Sequence, residues 1–217
     1  MNLFIISNPL EASVLIAFFL LIGFPVHEFF HAFMAYRLGD GTAKMFGRLT
    51  LNPIAHFHPV GGTMLVLSVA LAGIPLGFAA TPVNPSNLRG RYGEAYVSAA
   101  GPISNLLLAA AVAIPLRIFL ATDMQFEFPI VAGILALIVW GNLILGVFNL
   151  IPIPPLDGGA ILLSIVPRET AWRLRPMLSQ YGFLLLIIIF FVPIGGSSIG
   201  GRVILPIADA IYGLLVG

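Results

Sequence analysis

Residues 9–38 read Pro-Leu-Glu-Ala-Ser-Val-Leu-Ile-Ala-Phe-Phe-Leu-Leu-Ile-Gly-Phe-Pro-Val-His-Glu-Phe-Phe-His-Ala-Phe-Met-Ala-Tyr-Arg-Leu. Asn8 can cap a helix, Pro9 suits its first position and Glu11 stands at the third, so a helix start is expected here. Gly39 after Arg37-Leu38 is a stop signal. Such a helix is about 45 Å long at 1.5 Å per residue, enough to cross a bilayer core of about 30 Å and protrude. Pro25 should kink it just before the polar group His27, Glu28 and His31.

The rest of the chain has the same character. Of its 217 residues 59% are hydrophobic and 9% charged, and mean hydropathy is +1.04. A soluble domain carries about 25% charged residues, so this chain could not cover its surface in water. Collagen, disorder, coiled coil and a freely soluble enzyme are excluded. A polytopic membrane protein remains, with room for about six passes of about 20 residues. Ten scattered cations and a net charge of +1 form no phosphate-tracking patch, so no nucleic-acid partner is expected. With no Cys, disulfides and thiolate metal sites are excluded, and any metal must be held by His and carboxylate. No Lys or Arg precedes Arg37 and no small-residue cleavage site follows the first apolar core, so that run is expected to be retained rather than removed as a signal peptide.

Further apolar runs cover 61–80, 95–120, 128–151, 177–192 and 203–216, and no internal repeat is apparent. The second is broken by Gly73, Pro75 and Gly77, and the fourth ends in Ile151-Pro152-Ile153-Pro154-Pro155, which no continuous helix accommodates. Phe46 to Leu51 reads as a short strand, and an apolar turn followed by a basic stretch, Arg168 to Arg175, follows Asp157-Gly158-Gly159. With the N-terminus outside, Arg37, Lys44, Arg48, Arg89, Arg91, Arg168, Arg173 and Arg175 fall in cytoplasmic segments, leaving Arg117 and Arg202 outside, as the positive-inside rule requires. Both flanks of 61–80 are then cytoplasmic, so this run reads as re-entrant or interfacial rather than spanning. The expected fold class is an all-α polytopic membrane protein of about five to six membrane segments, with a small β-hairpin or re-entrant element after the first helix. It forms one domain over 1–217, a core at about 9–166 followed by C-terminal helices at about 177–216.

Ionisable side chains inside a span are costly and mark function by default. His27-Glu28-Phe29-Phe30-His31 is an H-E-x-x-H pattern: residues i and i+4 share a helix face and can bind one Zn²⁺, with Glu28 about 100° round, beside the open coordination position. A catalytic zinc needs a third protein ligand. His56 and His58 are candidates in the loop, where an accessory metal or pH role is the other reading. Asp157 is the better candidate, because His27 lies about 24 Å past Glu11 and the end of the fourth run reaches the same depth. Asp157 reads equally well as a turn aspartate in Pro-Leu-Asp-Gly. Asn105, Asn142 and Asn149 could bind an unwound substrate or act as helix–helix contacts. The strand at Arg48 to Leu51 could pair with an extended substrate or close a simple hairpin. Asp209, in the last run, has no clear role.

His27 to His31 and Asn149-Leu150-Ile151-Pro152-Ile153-Pro154-Pro155-Leu156-Asp157-Gly158-Gly159 together resemble the two signature motifs of the site-2 protease family, the intramembrane zinc metalloproteases. Gly47 to Pro53, Pro82-Val83-Asn84-Pro85 and Ala100-Gly101-Pro102-Ile103-Ser104-Asn105 resemble further family stretches, over about residues 20–165. His58, Ala79-Ala80-Thr81 and the bulky Phe30 depart from the family pattern. The resemblance implies His27, His31 and Asp157 as ligands of one Zn²⁺, and Glu28 as the catalytic glutamate. It implies hydrolysis of peptide bonds within or near transmembrane segments of membrane-protein substrates, in a multi-pass protein of a prokaryotic inner membrane with its site toward the cytoplasm. A zinc-binding inactive homologue acting as scaffold or chaperone is the alternative, against which the intact Glu28 speaks. A metal transporter would show polar sites along its spans or paired repeats, whereas here the ionisable residues cluster at one depth.

Overall fold

A computed structural model describes residues 9–72, 79–194 and 197–217. The opening run is helical as expected, but its break has a specific form. Helix α1 (Pro9–Phe18) passes through a π-turn (Phe19–Gly23) into α2 (Phe24–Arg37). The N–H of Phe24 reaches back five residues to Phe19 O. Pro25 has no N–H to donate and its ring crowds the carbonyl four residues earlier, so one widened turn just upstream absorbs the mismatch. The expected cap Asn8 lies outside the described residues.

Two one-turn helices follow, α3 (Thr42–Met45) and α4 (Pro53–His56). The strand and hairpin expected over Phe46 to Leu51 do not form; that expectation is corrected. Arg48 N bonds back to Ala43 O, Gly47 takes a positive φ of 69°, and Thr50 Oγ1 accepts from Asn52 N while Asn52 Oδ1 caps α4 through Ile54 N. These local bonds use the amides a ladder would need. The strand pairing among the described residues lies elsewhere, between Pro193–Ile194 and Ser197–Ser198.

Helix α5 (Pro59–Ala72) has 14 residues, about 21 Å, short of a bilayer core. Its Leu65 and Val69 pack with Leu15, Phe18 and Phe19 of the first helix. Gly62, near the start of α5, and Ala79, beyond its end, line the same small cavity with Leu20, Phe24 and Pro25. The chain thus leaves this level of the bundle near Pro59 and is back at it by Ala79. The breaks at Gly73, Pro75 and Gly77 lie outside the described residues.

The centre is an antiparallel pair, α6 (Gly93–Ala121) and α8 (Pro129–Asn149), joined through the single turn α7 (Met124–Glu127). Ala109 and Ala113 of α6, one turn apart, let Val139, Trp140 and Leu143 of α8 close in. On the other side of α8, Gly141 faces Phe18, while on the α6 side Gly146 faces Leu106 and the carbonyl of Pro102, each at 3.0–3.1 Å for an added Cβ. After α8 comes α9 (Asp157–Ile165), a helix where the sequence suggested only a turn, then α10 (Arg168–Phe191) and α11 (Ile199–Val216). The basic stretch Arg168 to Arg175 is therefore the start of a helix. Five helical stretches among the described residues are long and apolar enough to cross a membrane: Pro9–Arg37, Gly93–Ala121, Pro129–Asn149, Arg168–Phe190 and Ile199–Val216.

Helix α11 runs parallel to α6. Val216 packs with Leu116, whereas Phe190, edge-on against Phe148 at the end of α8, abuts Gly200 at the start of α11. Arg202 thus sits on the side of the α8 C-terminus, away from Arg117, which corrects the sequence-based pairing of the two at one face.

The basic loops are tied to one end of the bundle. Arg89 N bonds to Leu38 O at 2.9 Å, and Asp40, fully buried, accepts from Thr42 N, Thr42 Oγ1, Asn84 N and Asn87 Nδ2. Burial alone would raise the Asp40 pKa, but the bonds from Thr42, Asn87 and Asn84 outweigh it and hold the carboxyl below its ordinary value. Asp40→Asn keeps the size but loses the charge, and is expected to destabilise the fold by about 3 kcal/mol, as for a buried charged acceptor. Because the folded pKa is depressed, this stabilisation is present above about pH 4 and fades as pH falls through the folded value. The gap in Tm between wild type and Asp40→Asn in detergent should therefore be widest at neutral pH and close in acid; a gap independent of pH contradicts the assignment.

Candidate metal centre

Helix α2 carries His27 and His31 on its inner face, α6 passes behind them at Gly101, and α9 begins at Asp157 in front. All three candidate ligands lie together. His27 Nε2 is 3.0 Å from His31 Nε2, and Asp157 Oδ2 is 3.1 Å from the first and 3.3 Å from the second. Among the described residues this is the one group of three or more His or carboxylate side chains whose donor atoms converge.

Hydrogen bonds fix the tautomers. His31 Nδ1 lies 2.7 Å from Val97 O, a group that only accepts, so Nδ1 carries the proton. His27 Nδ1 lies 2.7 Å from Asn105 Oδ1. Asn105 orients that oxygen by donating its amide to Asn142 Oδ1 at 3.1 Å and Gly23 O at 3.4 Å, and Asn142 in turn donates to Ile138 O. Both Nε2 atoms then present bare lone pairs to each other and to a carboxylate oxygen that is buried and accepts no hydrogen bond. Three lone-pair donors so close repel unless a cation sits among them. Zinc at its usual distances of about 2.0–2.2 Å in tetrahedral geometry separates its ligand atoms by about 3.3–3.5 Å, close to the triangle here. The donor set fits zinc.

The surroundings are built for close approach. A Cβ on Gly101 would lie 2.4 Å from His31 Nε2 and 2.7 Å from His27 Nε2, so only glycine lets α6 back the imidazoles. Asp157 is held by the chain folding tightly on itself: a Cβ on Gly158 would meet Leu150 O and Ile151 O, one on Gly159 would meet Pro154, and one on Gly182 of α10 would meet Pro154 O. Glu28 is 5% exposed, its Oε2 has no hydrogen-bond partner, and Thr81 Oγ1 donates to its backbone carbonyl at 3.1 Å.

The remaining sequence candidates are not among the three converging donors. Asn105 and Asn142 are fully buried, with their amides spent on supporting His27. Asn149 Nδ2 bonds to Leu145 O of its own helix. His56 Nε2 donates to Thr50 O, and His58 Nδ1 accepts from Gly61 N at the start of α5. Asp209 is exposed on α11. Sequence reasoning missed the roles of Gly101, of the Val97 carbonyl and of Asp40. A glycine one turn before a buried Asn, in a helix facing an H-E-x-x-H helix, is the signal that could have pointed to the first.

Comparison with known proteins gives the family. Residues 118–189 match the family model described as Peptidase family M50. The chain is 38% identical over 192 residues to YwhC of Bacillus subtilis (strain 168), covering 86% of this chain and 84% of that protein. It is 35% identical over 177 residues to Rip2 of Mycolicibacterium smegmatis, covering 77% of this chain and 63% of that one, and 36% identical to Rip2 of Mycobacterium tuberculosis (strain H37Rv), covering 80% and 65%. All three carry the words zinc metalloprotease in their names, and the chain spans under two thirds of the length of the mycobacterial pair. No solved structure matches the chain. With the converging histidines and aspartate in an apolar bundle, these similarities settle the classification: the chain belongs to peptidase family M50, the site-2 protease family.

Proposed function

We propose that this protein is an intramembrane zinc metalloprotease in which His27, His31 and Asp157 hold one Zn²⁺ and Glu28 is the general base, acting on peptide bonds within or near transmembrane segments of membrane proteins. The observation that carries the reading is the meeting of three lone-pair donors, 3.0–3.3 Å apart, inside a bundle of membrane-length helices. Bound there, zinc supplies a Lewis acid that brings the pKa of a water to about 7 and polarises a carbonyl.

The chain's own groups do the rest. Asn105 and the Val97 carbonyl keep the protons of both imidazoles on Nδ1, so Nε2 stays free to ligate. Glu28, with one carboxylate oxygen unpartnered, is free to take the proton of the attacking water and pass it to the leaving amine. His27, Glu28 and His31 are buried, and removal from bulk water strengthens each of these interactions. A substrate helix must unwind locally, since its scissile bond is otherwise shielded by its own turn.

The test is cleavage of a panel of single-span substrates by purified protein in liposomes. Cutting is expected, is lost on adding a chelator, and returns with Zn²⁺; cutting that persists in full after the metal has been removed refutes the proposal.

The orientation has its own measurement. Arg89 beside Leu38 and Arg175 beside Glu94 place the basic segments at one end of the bundle. Cysteines introduced at positions 44, 89 and 173 are expected to react only with reagent on the cytoplasmic side, and a cysteine at 123 only from outside. Labelling at 89 from outside contradicts the N-terminus-out reading and the re-entrant reading of 61–80 together.

A further inference from the structure

Away from the metal centre, a cleft of about 500 Å³ opens between the start of α6, the end of α9 and the first turns of α10. Its lining includes Arg91, Arg168 and Arg175, with Glu94 as its one acidic residue, and Ser164 and Trp172 alongside. Arg175 Nη2 pairs with Glu94 Oε2 at 3.2 Å, whereas Arg91, its guanidinium over the Tyr92 ring, and the exposed Arg168 have no carboxylate partner among the described residues. Arg168 opens α10 at the positive end of its dipole, where a cation is unfavourable; Glu169 stands in the same turn and is paired with Arg173. An anion in the cleft relieves that repulsion.

Depth says which anion. Glu94 precedes Gly101 by seven residues along α6, about 10 Å at 1.5 Å per residue. Gly101 backs the histidines, and His27 lies about 24 Å into a hydrocarbon core of about 30 Å. The cleft is therefore about 5 Å beyond the hydrocarbon edge, among the headgroups. Trp172, 80% exposed, sits where interfacial aromatics gather, and basic pockets between helices at this level suit phosphate headgroups.

We propose that this cleft binds the headgroup of an anionic phospholipid, Arg91 and Arg168 holding the phosphate, with Arg175 presented by Glu94. The site is independent of the peptidase reading. Its occupant would bear on α9 through Ser164, and α9 begins at Asp157, so the lipid would brace the helix that carries this ligand.

The experiment uses the full chain in nanodiscs and reads Trp172 emission in a Trp140→Phe background. Phosphatidylglycerol with brominated acyl chains is expected to quench Trp172 at a far lower mole fraction than phosphatidylcholine with the same chains. Each arginine near the surface contributes about five-fold, so Arg91→Gln with Arg168→Gln should weaken the phosphatidylglycerol preference about 25-fold. Arg117→Gln, at the opposite end of α6, removes a charge without changing the preference. Unchanged thermal unfolding of the double variant confirms that it is folded; if it fails to fold, Arg168→Gln alone is read against the five-fold expectation. Equal quenching by the two lipids in wild type overturns the proposal, as does an unchanged preference in the folded variants. In detergent, displacement of brominated phosphatidylglycerol by millimolar inorganic phosphate would show a free-anion site and overturn the lipid assignment, whereas resistance to phosphate supports it.

Discussion

Gly101→Ala should empty the metal centre while leaving the helices in place. The added methyl would stand 2.4 Å from His31 Nε2, 2.6 Å from its Cε1 and 2.7 Å from His27 Nε2, far inside contact distance. Neither ring can retreat cheaply. His31 is tied through Nδ1 to Val97 O on the same helix as Gly101, and His27 is tied to Asn105 one turn further along. Moving α6 outward instead would open its packing on α8 at Ala109 and Ala113. The loss should exceed that from removing an outer hydrogen-bond partner, so zinc affinity should fall by at least about 100-fold. Metal content of purified protein would drop from about one zinc per chain to nearly none, as it should also for His27→Ala, His31→Ala and Asp157→Ala. Gly133→Ala is the control, since a Cβ there meets nothing within 4 Å. A Gly101→Ala protein that keeps its zinc would show that the imidazoles do not bind through Nε2.

Why Gly101 was invisible in the sequence, while His27 and His31 were not, is a matter of range. H-E-x-x-H is local: helix geometry alone puts residues i and i+4 on one face. Gly101 lies 70 residues from His31, and on its own Gly-Pro inside an apolar run reads as a kink. Asp157 is intermediate. Its depth could be argued from topology, but Pro-Leu-Asp-Gly is also turn chemistry. In the structure the turn and the carboxylate that meets the histidines are one feature, because Gly158 and Gly159 let the chain fold back on residues 150–154 and aim the carboxylate at α2.

The same division holds for the fold. Long apolar runs announced the membrane helices, and the proline announced the break in the first. Its form as a π-turn depends on the missing N–H of Pro25 acting with the packing of Phe18 and Phe19. The expected strand after α2 failed because propensity at Leu49 to Leu51 was outweighed by side-chain bonds from Thr50 and Asn52. The placement of Arg202 beside Arg117 followed from the positive-inside rule, which cannot see Phe190 held against the end of α8.

The sharpest division between a protease and a metal-binding scaffold is Glu28→Gln. In the proposed mechanism Glu28 is no ligand; the three converging atoms belong to His27, His31 and Asp157. Glutamine keeps the length and much of the hydrogen bonding of the carboxylate but cannot accept the proton. Zinc content should stay near one per chain, and the fold should hold or gain, since a buried carboxylate with an unpartnered oxygen is costly among apolar helices. Peptide hydrolysis should fall by at least about 10²-fold, the low end for loss of a positioned general base. The variant should then retain uncut substrate, which can be measured as co-purification of a single-span protein that wild type releases in pieces. Cleavage by Glu28→Gln at the wild-type rate removes Glu28 from the chemistry. If neither form cuts any substrate while both carry zinc, the metal centre is structural and the scaffold reading replaces the enzymatic one.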